Sequence, residues 1–278
     1  MAFSFNFGFQ DGKVVAPSPP APAKRKVTET SCSAVLTRVF KDKLEHATPL
    51  LTGGKDIPLL GIGTWQLKRR QTSGMVECAL AEGVRLIDTA AYYRNEAAVG
   101  QALRSMETDI PREEVFITTK LWSDDMGSTR AAKAFDKSLT ELGLAYVDLY
   151  LMHWPADDVK TTLETWRFME SIHKSGRARA IGVSNFGVAE LTALFQDAKI
   201  IPAVNQIEFH PRRLLKQLPT LELCRAHGVV VQGYSPLGAS FNLLSNATVA
   251  WVADQVTLLI LTTLLIFTSL ITLITLRT

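Results

Sequence analysis

The chain has 278 residues, of which 47% are apolar and 21% charged, with a formal net charge of +3. This length and composition suit one α/β barrel of ordinary enzyme character. The charge is too small to point to nucleic acid, and the two basic runs, Lys24-Arg25-Lys26 and Lys68-Arg69-Arg70, read as solvated surface. Cys32, Cys78 and Cys224 are odd in number, far apart and form no CxxC. That argues against a disulfide framework or a zinc site and fits a reducing compartment.

Residues 1–46 read as an extension, largely disordered. Phe3, Phe5, Phe7 and Phe9 alternate with small or polar residues in a strand-like period, but Pro17-Ser18-Pro19-Pro20-Ala21-Pro22 follows. Such a run cannot be helix interior or central strand. A short helix around Val35–Leu44 is the one element expected here. The excess of basic residues leaves organelle targeting as an alternative, without the long apolar run of a secretory signal.

Order begins near Thr48. Pro49–Pro58 reads as a β-hairpin about Gly53-Gly54. Leu59–Trp65 follows as the first sheet strand, with Gly61 and Gly63 allowing a ligand close to the backbone. Six further strands are expected at Arg85–Asp88, Val115–Thr119, Tyr146–Met152, Ala180–Val183, Ala203–Glu208 and Val229–Tyr234. Helical patterns lie between them at Ser73–Glu82, Glu96–Met106, Arg130–Leu142, Thr161–Ser175, Val188–Asp197 and Leu218–His227. This alternation implies βαβ units and a parallel sheet, and so many units favour a TIM-type (β/α)8 barrel over an open sheet. The expected organisation is therefore extension 1–46, barrel 47–255 and an apolar tail 256–278.

Polar residues recur where the strands end. Asp88 and Tyr93 follow one strand, Lys120 another and His153 a third. Ser184-Asn185 and Tyr234 end two more, and Gln206 lies in the strand between those two. Each has a bland reading taken singly. Asp88 and Ser184-Asn185 suit helix caps, Lys120 a surface charge, His153 a satisfied core histidine, and Gln206 and Tyr234 buried polar residues. In a barrel all these ends converge on one face, so a shared pocket explains them together. The set makes chemical sense. An ammonium beside a tyrosine favours its phenolate and lowers its pKa. Such a tyrosine can donate a proton to a carbonyl oxygen as hydride reaches carbon. A neutral histidine can orient that oxygen. Ser, Asn and Gln suit a carboxamide, and a tyrosine ring can stack on a flat heterocycle.

At these residues the chain resembles the aldo-keto reductase family, over about Thr48 to Gln255. Gly83–Tyr93 with Asn95-Glu96, and Arg179–Phe186, resemble two family signatures. Thr119-Lys120-Leu121-Trp122 and Met152-His153-Trp154-Pro155 extend the likeness. The resemblance implies that Tyr93 is the proton donor, tuned by Lys120 and Asp88, with His153 orienting the carbonyl; family spacing selects Tyr93 over Tyr92. It implies that Ser184, Asn185 and Gln206 hold a nicotinamide carboxamide and Tyr234 stacks on the ring. Ser235 and Leu237 would follow the phosphates, with Gly63 and Thr64 near the cofactor. Trp65, Trp122 and Trp154 would line the substrate pocket with His153. NADPH is the implied cofactor, with no metal, and the function is reduction of an aldehyde or ketone by a cytoplasmic monomer.

Two departures stand out. Val84 replaces a common aromatic. After Gln255 the likeness stops, and the family's eighth strand, its Ile-Pro-Lys-Ser-like motif and the Arg for the 2′-phosphate are not found. Val256–Leu276 holds no charge, Gly or Pro. It reads as an aberrant end, a membrane anchor or a substitute core segment. The alternatives to a working reductase are thus an impaired, cofactor-binding reductase-like protein and a membrane-tethered reductase. A barrel lacking a strand exposes two sheet edges, so weak NADPH binding or poor folding is the expectation.

Overall fold

The computed structural model describes residues 9–10, 13–14, 56–239, 243–249 and 274–276. The expected hairpin over Pro49–Pro58 and the helix over Val35–Leu44 fall almost wholly outside these residues. Near the N-terminus, β1 (Phe9–Gln10) pairs antiparallel with β2 (Lys13–Val14).

The main body alternates strand and helix as the hydrophobic periods require. In chain order it runs β3 (Gly61–Gly63), α1 (Arg69–Ala81), β4 (Leu86–Asp88), α2 (Glu96–Met106), β5 (Phe116–Leu121) and α3 (Ser128–Leu142). It continues with β6 (Val147–Met152), α4 (Val159–Lys174), β7 (Ala178–Ser184), α5 (Val188–Asp197), β8 (Val204–Glu208), α6 (Leu214–Ala226) and β9 (Val230–Tyr234). Strands β3 to β9 are parallel and neighbour one another in sequence order. These seven strands and their helices build the expected (β/α)8-type architecture as far as β9. A strand at β10 (Ile274–Leu276) then lies antiparallel on the free edge of β9, with Thr275 opposite Gln232. Antiparallel pairing there differs from the parallel eighth strand of a (β/α)8 barrel, and among the described residues no pairing joins β10 to β3. Most of the tail lies outside the described residues. Among those described, no helix is long and apolar enough to cross a membrane.

Helix boundaries follow the chemistry of their ends. Asp158 caps α4 by accepting from the Thr161 backbone N–H at 2.8 Å. Gly143 ends α3 in the left-handed region with φ 67°. Helix α6 begins four residues before the expected start, at Leu214, and carries Pro219 in its interior. Counted from Leu214, the proline falls in the second turn.

Pleating divides the sheet into two cores. Ile87, Ile117, Tyr150 and Ile181 face the helices and pack with Phe135 and Trp166. Leu86, Phe116, Leu149, Leu151, Ala180 and Val204 face inward and form a second cluster with Ile57. Side chains alternate faces with period 2. The inner face therefore also receives Asp88 after Leu86, Lys120 after Phe116 and Thr118, and His153 after Leu151. By the same count it receives Ser184 after Ala180 and Gly182, Gln206 after Val204, and Gln232 and Tyr234 after Val230. The inward face is apolar at its base and polar at the C-terminal ends of the strands. Gly182 allows β7 and β8 to meet there: a Cβ on it would strike the Val204 carbonyl oxygen and come within 2.8 Å of the Leu151 side chain.

Candidate active site

The polar end of the inner face is built around Lys120. Its side chain is 0% exposed, and its ammonium donates to Asp88 Oδ1 at 2.5 Å, to the Thr89 carbonyl at 3.0 Å and to the Tyr93 hydroxyl at 3.3 Å. Strand β4 supplies Asp88, and a short 3-10 turn over Ala91–Tyr93 returns Tyr93 across it. That turn ends on Arg94 at φ 56°. Asn95 fixes the segment from below. Its amide donates to the Thr64 carbonyl at 2.8 Å, and its oxygen lies 3.1 Å from Thr89 Oγ1 and 3.2 Å from Thr64 Oγ1.

The electrostatics depart from the sequence expectation at one point. Burial would lower the Lys120 pKa, but Asp88 and then Tyr93 more than offset it, so Lys120 titrates above its ordinary value. Tyr93 was expected to titrate lower because of Lys120. Instead its pKa is raised: burial is the largest influence and outweighs the ammonium, and Asp88 adds to the rise. Tyr93 is thus held as a protonated phenol, which suits a proton donor.

His153 stands over Tyr93 with ring centroids 5.6 Å apart at 77°. Burial, then the Lys120 charge, push its pKa down to about 3, so it is neutral near pH 7. Its buried Nδ1 has no hydrogen-bond partner among the described residues. Trp122 meets the same imidazole edge-on at 5.2 Å and stacks on Tyr92 at 3.7 Å. Trp65 and Trp154 are 41% and 44% exposed and so open to solvent. A cavity of about 390 Å³ on the outer flank of Tyr92 and Trp122 is lined by neither Tyr93, Lys120 nor His153. The converging polar set marks the chemistry better than that cavity does.

Beside this centre lies a second polar group. Ser184 Oγ donates to the Gln206 carbonyl at 2.9 Å. Asn185, at φ 63°, donates to the His153 carbonyl at 2.9 Å and to Ser184 Oγ at 3.1 Å, and accepts from the Tyr234 hydroxyl at 2.8 Å. The Tyr234 phenol is pushed up to about 12, chiefly by burial. Gln206 Nε2 donates to Asp88 Oδ2 at 2.8 Å and to Gln232 Oε1 at 2.7 Å. Both of its hydrogens are engaged, leaving the Gln206 oxygen for an external donor. Ser184, Asn185, Gln206 and Tyr234 thus come together next to the Lys120 centre. With its free acceptor and adaptable amides, this group fits a carboxamide.

The remaining candidates lie at the margins. Gly63 ends β3. The Thr64 hydroxyl is buried in the Thr89 and Asn95 network, so its side chain serves the turn. Ser235, at φ 50°, and half-buried Leu237 lead out of β9, where the Ser235 carbonyl accepts from the Gly238 N–H at 2.8 Å. Sequence reasoning missed Thr89, Asn95 and Gln232. The signal for Gln232 was present, since it lies two residues before Tyr234 on one strand and so shares its face. Among the described residues no cluster of His, Cys, Asp or Glu could hold a metal.

A sequence model of the Aldo/keto reductase family matches residues 59–250. Morphine 6-dehydrogenase of Pseudomonas putida is 46% identical over 69% of this chain, which spans 64% of that enzyme's length. Glyoxal reductase of Bacillus subtilis is 42% identical over 75% of this chain and 73% of its own. The glycerol 2-dehydrogenase (NADP+) of Saccharomyces cerevisiae is 42% identical over 68% of each. A crystal structure of an aldo/keto reductase from Brucella melitensis superposes with a TM-score of 0.69 at 40% identity, covering 75% of this chain and 78% of that one.

Proposed function

The chain belongs to the aldo-keto reductase family, and we propose that it reduces an aldehyde or ketone to an alcohol with NADPH, using Tyr93 as proton donor. Aldo-keto reductases use nicotinamide cofactors, and NADPH supplies hydride when bound. The choice of NADPH over NADH follows the yeast relative, whose name specifies NADP+.

The observation that carries the reading is the Lys120 ammonium lying between Asp88 and the Tyr93 hydroxyl. Tyr93 remains a protonated phenol until a carbonyl oxygen beside it gains negative charge, and then donates its proton. Lys120 stabilises the phenolate left behind, while Asp88 holds the ammonium in place. Neutral His153 has an unengaged imidazole to hydrogen-bond the same oxygen and fix its direction. Gln206 offers its free oxygen to a carboxamide N–H, and Ser184 and Asn185 offer the other partners. Tyr234 would flank the ring. Gly63, Thr64, Ser235 and Leu237 would contact the rest of the cofactor. Trp65, Trp122 and Trp154 would form the apolar walls on the substrate side. The protein is read as a cytoplasmic monomer acting on a small carbonyl compound, with residues 47–255 as its catalytic unit.

The name of the Bacillus relative makes glyoxal the first substrate to try. NADPH absorbance followed with glyoxal and a panel of aldehydes should fall with time. Tyr93→Phe should cut kcat by about 10²–10⁴ while leaving NADPH binding, followed by its fluorescence, near wild type. Wild-type turnover in the Phe variant would remove Tyr93 from the role.

A further inference from the structure

Gln232 is fully buried on β9, in register with Gln206 on β8, and both side chains point to the inner face. Their amide orientations are set by chemistry. A carboxylate can only accept, so Gln206 must present its nitrogen to Asp88 Oδ2. The second hydrogen on that nitrogen meets Gln232 at 2.7 Å, so Gln232 must present its oxygen. This order leaves Gln232 Nε2 buried without a hydrogen-bond partner among the described residues. An apolar residue of the same shape would avoid that cost, so stability alone does not account for a glutamine here.

We propose that Gln232 is a positioning residue for the proton donor: it locks Gln206 onto Asp88, so that the carboxylate is shared between Gln206 and Lys120. The proposal rests on the reading of Tyr93 as that donor. Four groups face Tyr93: Asp88 from β4, Lys120 from β5, His153 after β6 and Tyr234 from β9. Lys120 favours the phenolate and Asp88 opposes it. Without the Gln232 oxygen, the Gln206 amide is free to turn and Asp88 Oδ2 loses its donor. Asp88 then acts on Tyr93 with less of its charge compensated and draws the ammonium more fully to itself. Both changes make Tyr93 harder to ionise.

The test reads Tyr93 directly. Tyrosinate absorbance is titrated in the wild type and in Tyr93→Phe, and the difference isolates Tyr93. The same pair is made in a Gln232→Met background, which keeps length and removes the acceptor. The Tyr93 midpoint should rise by roughly half a pH unit or more, and the alkaline limb of kcat/KM should move the same way. In a Gln206→Met background, Gln232→Met should produce no further shift. A midpoint that stays put while kcat falls would show a merely structural residue. An equal shift in the Gln206→Met background would show that Gln232 does not act through Gln206. Either result overturns the proposal. If Gln232→Met does not fold, Gln232→Asn withdraws the same oxygen by one methylene and is read identically. The titration needs no turnover, so failure of the proposed function, seen as absent reductase activity, and failure of the Gln232 coupling, seen as an unmoved Tyr93 midpoint, are read separately.

Discussion

Replacing each partner of the Lys120–Asp88 pair, singly and together, gives the sharpest check on how the site is held. Both side chains are buried, at 0% and 6% exposure, and their atoms meet at 2.5 Å. Removing one partner of a buried pair costs about 3–5 kcal/mol, because a charge remains buried and uncompensated. Lys120→Met leaves Asp88 with the Gln206 amide alone, so a loss of about 3–5 kcal/mol is expected. Asp88→Leu strands the ammonium and also deprives Gln206 Nε2 of its acceptor. That second orphan adds about 1–3 kcal/mol, which makes Asp88→Leu the worse single change. The double variant has no stranded charge. Exchange of a buried pair for apolar residues is often neutral or stabilising by about 1–4 kcal/mol, and the Gln206 orphan offsets that gain. The double variant should therefore be more stable than either single one. Urea unfolding near neutral pH, followed by tryptophan fluorescence and by circular dichroism with coincident transitions, measures this cycle. Single losses that simply add in the double variant would refute the argument that burial without compensation is what costs.

The other predictions concern pH and packing. His153 titrates at about 3 in the folded chain against 6.5 when unperturbed. The unfolded chain therefore takes up this proton first, and the contribution present above about pH 6.5 is lost as pH falls toward 3. The loss runs at about 1.4 kcal/mol per pH unit, or about 2 kcal/mol by pH 5. Urea unfolding of the wild type and His153→Asn at pH about 7.5 and about 5 should show the wild type losing that much more than the variant; equal losses would mean that His153 charges freely in the fold. Gly182→Ala should lower stability by about 1–3 kcal/mol, since its Cβ meets the Val204 backbone. An unchanged melting temperature would show that β7 and β8 have room to part.

Much of the site was legible because it obeys short-range rules. Period-2 alternation puts Asp88, Lys120, Ser184, Gln206 and Tyr234 on one sheet face, and parallel strands bring their C-terminal halves together. Helices α2 and α5 match the expected bounds at Glu96–Met106 and Val188–Asp197, because their apolar spacing and flanking residues agree. Helix α6 starts upstream of the expected Leu218 because Leu214, Leu215 and Leu218 are all exposed, so no apolar period marks its first turn.

The sequence alone determined the alternation of strand and helix, the identities at each strand end and the family likeness carried by them. It could not supply the balance of energies between elements distant in the chain. Tyr93 was expected to titrate low from its nearness to Lys120, yet burial by several strands outweighs one charge and raises it. Gln206 was assigned a ligand's carboxamide. Only the register of β8 with β9, and the approach of Asp88 across the inner face, commit its two hydrogens elsewhere and draw Gln232 into the network. Desolvation and the geometry of a shared hydrogen-bond donor depend on what several strands place around one atom, and tertiary structure decides that.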